Sequence, residues 1–161
     1  MPQIAWKPAQ YHTLTPYLTL RGAAQAIEFY KKAFGAEELY RMTDPNGAIT
    51  HAELRIGDSV MMMGEEAPAM GATSPATLGG STAGLLIYVA DCDQAFAHAI
   101  KAGATAVQPP ETMFWGDRYG QLKDPFGHRW SLATHVKDVT PEEMAKAQEA
   151  WMKQNTAPKA G

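Results

Sequence analysis

The stretch Trp115-Gly116-Asp117-Arg118-Tyr119-Gly120-Gln121-Leu122-Lys123 leads into Asp124-Pro125-Phe126-Gly127, and His128-Arg129-Trp130-Ser131-Leu132-Ala133-Thr134-His135 leads out of it. Asp124 to Gly127 is turn chemistry: proline presets φ, and glycine supplies a conformation that side chains resist. After the turn, Trp130 and Leu132 alternate with Arg129 and Ser131, the period of a strand with one buried face. The spacing predicts two strands joined by a D-P-x-G turn at the end of a domain.

Working back from this hairpin, the chain repeats itself. Pro16 to Arg21 reads as a strand, with Leu18 and Leu20 on one face and Tyr17, Thr19 and Arg21 on the other. A helix from Ala23 to Phe34 carries Ile27, Tyr30 and Phe34 on one stripe and stops at Gly35. Strands follow at Glu38 to Met42, Ile49 to Ile56 and Ser59 to Met63, with Asp44-Pro45-Asn46-Gly47 as a hairpin turn. The pattern restarts with a strand over Leu85 to Ala90 and a helix over Asp93 to Ala102. Gln25-Ala26-Ile27 matches Gln94-Ala95-Phe96 at a spacing of 69, and Gly35-Ala36 matches Gly103-Ala104 at 68. Ile56-Gly57-Asp58-Ser59-Val60 matches Phe126-Gly127-His128-Arg129-Trp130 at 70, so the chain holds an internal β-α-β-β-β repeat.

The run W-G-D-R-Y-G followed by D-P-F-G-H-R-W-S-L resembles the vicinal-oxygen-chelate superfamily of glyoxalase I, bleomycin-resistance proteins and extradiol dioxygenases, and within it the PhnB-like branch. The resemblance implies an α+β fold in which two βαβββ modules, about 16–63 and 85–134, form a cupped mixed sheet with helices outside. Residues 1–15 form an N-terminal arm, 64–84 an aperiodic connector within the domain of residues 16–136, and 137–161 a C-terminal helix and tail. That helix is announced by Thr140-Pro141-Glu142-Glu143, a capping box with proline at its first position. The superfamily also implies a homodimer, which the exposed edges of two four-stranded modules independently favour.

Composition narrows the function. A net charge of −3 and a pI near 5.9 leave no electrostatic footprint for nucleic acid. Cys92 is the single cysteine, which excludes an internal disulfide and a cysteine-rich zinc site and fits a reducing, cytoplasmic compartment. No apolar run suits a membrane span or a signal core. The expected partners are a small-molecule ligand and a second copy of the chain. No G-x-S-x-G, Walker loop or H-E-x-x-H occurs.

Period-two alternation divides the strands into two faces. Leu18, Leu20, Leu54, Val60, Met62, Ile87, Val89, Trp130 and Leu132 are expected under the helices, and Tyr17, Thr19, His51, Glu53, Ser59, Met61, Met63, Leu86, Tyr88, Arg129 and Ser131 in the cup. Metal-dependent members of the superfamily hold a divalent ion by His, Glu or Gln from the first and last strand of each module. The corresponding positions here are Tyr17, Met61 or Met63, Gly84 and Ser131, none of them a usual ligand for such an ion. No metal or other cofactor is therefore expected. Candidate ligand contacts are Tyr17, His51, Glu53, Met61, Met63, Tyr88 and Ser131, with Trp115, Asp117 and Arg118 as a pocket rim. Three functions remain open: a small-molecule binder without the usual metal; an enzyme of lyase, isomerase or dioxygenase type working through His51, Glu53 and Asp117 or an unconventional metal site; and a structural dimer with a vestigial cavity.

Overall fold

The computed structural model describes residues 4–156; the first three residues of the expected arm and the last five of the expected tail lie outside it. The chain runs β1 (Tyr17–Leu20), α1 (Ala23–Phe34), β2 (Glu37–Thr43), β3 (Ile49–Ile56), β4 (Ser59–Glu65), a 3-10 turn (Pro68–Met70), α2 (Pro75–Leu78), β5 (Gly84–Tyr88), α3 (Cys92–Ala102), β6 (Thr105–Thr112), β7 (Asp117–Lys123), β8 (Arg129–His135) and α4 (Pro141–Thr156). The strands form two four-stranded sheets of order β1-β4-β3-β2 and β5-β8-β7-β6. In each, the first strand lies parallel to the last and the remaining pairs are antiparallel. This is the α+β fold of two βαβββ modules. Among the described residues no strand joins one sheet to the other, and β1 and β5 are each left as edge strands. β6 accommodates Pro109 and Pro110 because it is also an edge and its register shifts there.

Each sheet turns one face toward a single shared core. Leu18, Leu20, Ala52, Leu54, Met61 and Met63 of the first sheet meet Leu122, Trp130 and Leu132 of the second around Ala26, Ile27, Tyr30, Phe96 and Ala99 of α1 and α3. The helices also touch each other, with His98 Nε2 at 2.7 Å from the Lys32 carbonyl. Gly22 offers α1 no side-chain cap, so the carboxylate of Glu65, at the end of β4, accepts the Gly22 and Ala23 amide protons, both at 2.7 Å. A carboxylate there satisfies orphan donors and complements the positive end of the helix. At α4 the predicted capping box forms, with Thr140 N–H donating to Glu143 Oε2 and Glu143 N–H to Thr140 Oγ1. No helix among the described residues is long and apolar enough to cross a membrane.

The D-P-F-G turn does more than reverse the chain. Asp124 is 2% exposed. Its Oδ1 accepts the Phe126 and His128 amides, both at 2.9 Å, closing the turn. Its Oδ2 accepts Tyr30 O–H at 2.7 Å from α1 and Trp130 Nε1–H at 2.8 Å from β8. One carboxylate thus ties a helix of the first module to the closing hairpin of the second. Burial, with the Asp124 charge alongside, pushes the Tyr30 phenol well above the usual tyrosine range. Rings of Phe29, Phe34 and Phe126 pack around this knot. The matching Asp44 turn closes in the same way, with Oδ1 accepting the Asn46 and Ala48 amides, but lies in solvent.

Two expectations are corrected. The connector is not aperiodic: it holds the 3-10 turn and α2, pinned where Glu66 accepts from Ser74 N–H, the Thr77 hydroxyl and Arg21 Nε. Those donors, Ser74 foremost, hold the Glu66 carboxyl down at about 2. The second correction is the facing of β4. Tyr17 lies beside Met62 and Leu18 beside Met63, while Leu54 faces Met61. Met61 and Met63 therefore lie under the helices, and Val60 and Met62 lie on the opposite face with Tyr17 and Glu53, the reverse of the expected arrangement. The cause is a one-residue misalignment of the repeat. β3 and β4 join across the two residues Gly57-Asp58, whereas β7 and β8 join across five, Asp124 to His128. Register makes Met62 the counterpart of Ser131, at the spacing of 69 that the helices share, and a shift of one residue inverts every side chain of a strand.

If Asp124 joins the modules, Asp124→Ala should lower the unfolding free energy by about 3–5 kcal/mol, because the Tyr30 hydroxyl and the Trp130 indole N–H are left buried without an acceptor. Tyr30→Phe removes one donor of four and should cost only about 1–2 kcal/mol. Urea titrations of both variants measure the difference, and equal losses would contradict the knot.

Candidate functional site

The face of each sheet turned away from the core carries neither α1 nor α3, and the candidate residues gather on these two open faces, the first of them reached by the N-terminal arm. Across the first sheet the register sets Tyr40, Glu53, Met62 and Tyr17 in one row, from β2 to β1. One pleat along, His51 stands opposite Met42. Tyr17 O–H lies 3.2 Å from His51 Nδ1, and His51 Nε2 lies 3.3 Å from Glu53 Oε1. The Tyr17 and Tyr40 rings pack against the imidazole with centroids 5.7 and 6.5 Å away. Tyr11, from the N-terminal arm, lies near Glu53, whose carboxylate raises that phenol above its usual range. His12 Nε2, 3.1 Å from the Asp58 carbonyl, holds the arm at the β3–β4 turn.

On the second sheet, Leu86, Ser131 and Gln121 form the corresponding row, followed by Tyr88, Ala133, Tyr119 and Glu111. Gln121 Nε2–H donates to the Tyr119 hydroxyl at 2.7 Å, which shares a 2.8 Å bond with Ser131 Oγ. Trp115 packs edge-on against Tyr119 at 5.6 Å. Asp117 is buried and accepts Tyr88 O–H at 3.1 Å on Oδ2, while His135 Nδ1 lies 2.8 Å from Oδ1. His135 Nε2 lies 2.9 Å from Asp138 Oδ1. The two carboxylates, Asp138 first, raise the His135 pKa above its ordinary 6.5.

The structure thus brings Tyr17, His51 and Glu53 together on one open face, and Tyr88, Trp115, Asp117 and Ser131 on or beside the other. It removes three candidates. Met61 and Met63 belong to the core, as described. Arg118 faces α3, where Nε and Nη2 clasp the Asp93 carboxylate at 2.8 and 2.7 Å, so the expected rim keeps Trp115 and Asp117 and loses its arginine. Residues that sequence reading left out are Tyr11, Tyr40, Met42, Met62, Tyr119, Gln121 and His135. Cross-strand pairing was the missing signal: Leu54 was assigned to the core, and across a two-residue turn its partner Met61 must follow it there. His128 has a further role, its Nε2 reaching the Thr19 carbonyl of β1 at 3.0 Å.

Residues 12–132 match the model of the Glyoxalase/Bleomycin resistance protein/Dioxygenase superfamily. The chain belongs to this superfamily. It is similar to an uncharacterised protein of Mycobacterium tuberculosis strain H37Rv, 43% identical over 137 residues that cover 83% of this chain and 81% of that one. Among solved structures it is similar to TioX from Micromonospora sp. ML1, with 26% identity, a TM-score of 0.61, and coverage of 78% of this chain and 99% of that one. A PhnB protein from Bacillus cereus shares the fold at a TM-score of 0.57 and 19% identity, covering 76% of this chain and 99% of its own.

Within the superfamily, the divalent-ion positions lie on the first and last strands of each module. On the open faces these are now Tyr17 and Met62, Leu86 and Ser131, with Gly84 one pleat away beside Arg129. A phenol, a thioether, an aliphatic group and a hydroxyl do not fit a hard or borderline divalent ion, which takes carboxylate or imidazole. Among the described residues, no three His, Cys, Asp or Glu side chains group as a metal site.

Titration of His135 checks the second face. A histidine raised in the folded state contributes stability that is fully present below its unfolded pKa and disappears as pH rises through the folded value. The contribution of the Asp117–His135–Asp138 tie should therefore be full below the ordinary 6.5 and be lost as pH rises from there through the raised folded value. By NMR, Asp138→Asn should lower the His135 midpoint; an unchanged midpoint would show that Asp138 does not hold the ring.

Proposed function

We propose that this chain binds a small organic molecule on the open faces of its sheets, without the superfamily's divalent ion, and that a second copy of the chain closes the site. One observation carries the reading. Tyr17 and Tyr88 are 62% and 64% exposed on faces that also hold the hydrogen-bonded sets around His51 and Asp117. Apolar and aromatic surface with a few fixed polar groups is the composition of a small-molecule site, and exposed edges at β1 and β5 are surfaces that strand proteins ordinarily cover. The poor metal donor set supports binding over metal-assisted chemistry.

A second reading is supported by the Tyr17–His51–Glu53 line. A carboxylate that orients an imidazole, which in turn reaches a hydroxyl, is the arrangement of an acid–base relay. On this reading His51 moves a proton, Glu53 holds its ring, and no metal is needed.

Sedimentation at micromolar concentration should give a dimer, and a monomer would count against closure by a second copy. In a thermal-shift screen a bound compound raises the melting temperature by mass action. With such a compound, Trp115→Ala should weaken binding by about 1–3 kcal/mol, about five- to two-hundred-fold, if the indole lies against it. Met63→Ala should instead lower stability by about 2–5 kcal/mol and leave the affinity unchanged. Loss of affinity in Met63→Ala with normal binding in Trp115→Ala would reverse the assignment of faces.

A further inference from the structure

Glu53 occupies an unusual position. It stands in the centre of the first open face, its side chain only 16% exposed, between Tyr40 on β2 and Met62 on β4 with Tyr17 beyond. Its hydrogen-bonding neighbour is His51, and the Tyr11 phenol lies close enough to feel its charge. His51 Nε2 lies 3.3 Å from the carboxylate, a pair that is ionic only when the imidazole is protonated, and among the described residues no lysine or arginine is paired with Glu53. Nearby cations are committed elsewhere. Arg55, two residues along the same strand, pairs with Glu37 at 2.6 Å. Arg41 stands opposite Ala52, on the helix side, and binds Glu38. Lys7 donates to the Pro8 and Tyr11 carbonyls of the arm.

The sister module shows that the fold does not require this charge. Glu53 faces Met62 and Gln121 faces Ser131, so the position of Glu53 in the first sheet is that of Gln121 in the second. The neutral amide there takes part in the hydrogen bond to Tyr119. A partly buried carboxylate has lost hydration that neutral donors return only in part, and a cation beside it recovers the difference. The surrounding tyrosines and thioethers are poor hosts for a hard metal ion, which would need several further oxygen or nitrogen ligands. They are good hosts for a weakly hydrated organic cation, through aromatic faces and polarisable sulfur.

We propose that the first open face recognises an organic cation, a small and partly apolar molecule bearing a protonated amine or quaternary ammonium, with Glu53 as counter-charge and Tyr11, Tyr17 and Tyr40 as walls. The proposal rests on the small-molecule reading above and names the ligand class. It makes Tyr11 a binding residue, so the N-terminal arm is part of the site.

The test compares three probes of similar shape on the full chain: phenethylamine, 2-phenylethanol and 3-phenylpropionate, titrated by NMR at neutral pH. The amine should bind about tenfold or more tighter than the alcohol, and the carboxylate more weakly than either. In Glu53→Gln, which copies the neutral residue of the sister module, the amine and the alcohol should bind within about twofold of each other, with the melting temperature preserved. In Tyr11→Phe, which removes a donor and keeps the ring, amine binding should survive. Equal binding of amine and alcohol by the native chain, or a preference for the amine that persists in Glu53→Gln, overturns the proposal and leaves the small-molecule reading standing. A chain that binds none of the three and gives no response in the broader screen loses both.

Discussion

The buried carboxylate of Asp124 is the interaction on which the two modules depend. Either βαβββ unit alone would expose one side of its helix, and the core is closed only because α1 also packs against the second module. A turn aspartate ordinarily bonds the backbone of its own turn, as Asp44 does. Asp124 does this with one oxygen and uses the other for Tyr30 and Trp130. Four donors offset the cost of taking a charged group out of water, two from the turn itself and one each from α1 and β8. The D-P-F-G-H-R-W run is thus a docking device between modules as well as a hairpin.

With both helices drawn into one core, the opposite faces of both sheets are left without a covering α1 or α3. Pleating then decides which residues they present, since alternate side chains must point away from the helices. This is why apolar and titratable groups share the open faces. Tyr17, Met62 and Tyr88 stand there beside His51, Glu53 and Asp117 because their neighbours in the chain are needed below. Function in this fold therefore depends on parity along a strand, and one substitution can have opposite consequences at adjacent residues such as Met62 and Met63.

Much of the fold was legible in the sequence because the signals were local and redundant. Gly35 and Gly103 end helices whose stripes are periodic, the D-P-x-G turns mark hairpins, and Thr140 to Glu143 is a complete capping box. The 69-residue repeat then paired the modules. The candidate site was less legible because it depends on cross-strand register, which a single strand does not encode. His51 and Glu53 share the face that the clear alternation of β3 predicts. The run Met61-Met62-Met63 has no alternation to read, and aligning it through hairpins of different length inverted it. Arg118 was misplaced for the opposite reason: its neighbour Asp117 was assigned to the same rim, although adjacent residues in a strand point to opposite faces. Tyr11 was invisible because an arm has no period that predicts where it lands.

The methionines offer the most direct test of where a ligand binds. With methyl groups labelled, Met42 and Met62 report on the first open face, and Met61 and Met63 on the core beneath it. Titration with a compound from the thermal-shift screen should move the Met42 and Met62 resonances and leave those of Met61 and Met63 nearly still. Saturable shifts at Met61 and Met63 with Met42 and Met62 silent would place the ligand on the helix side and contradict the account.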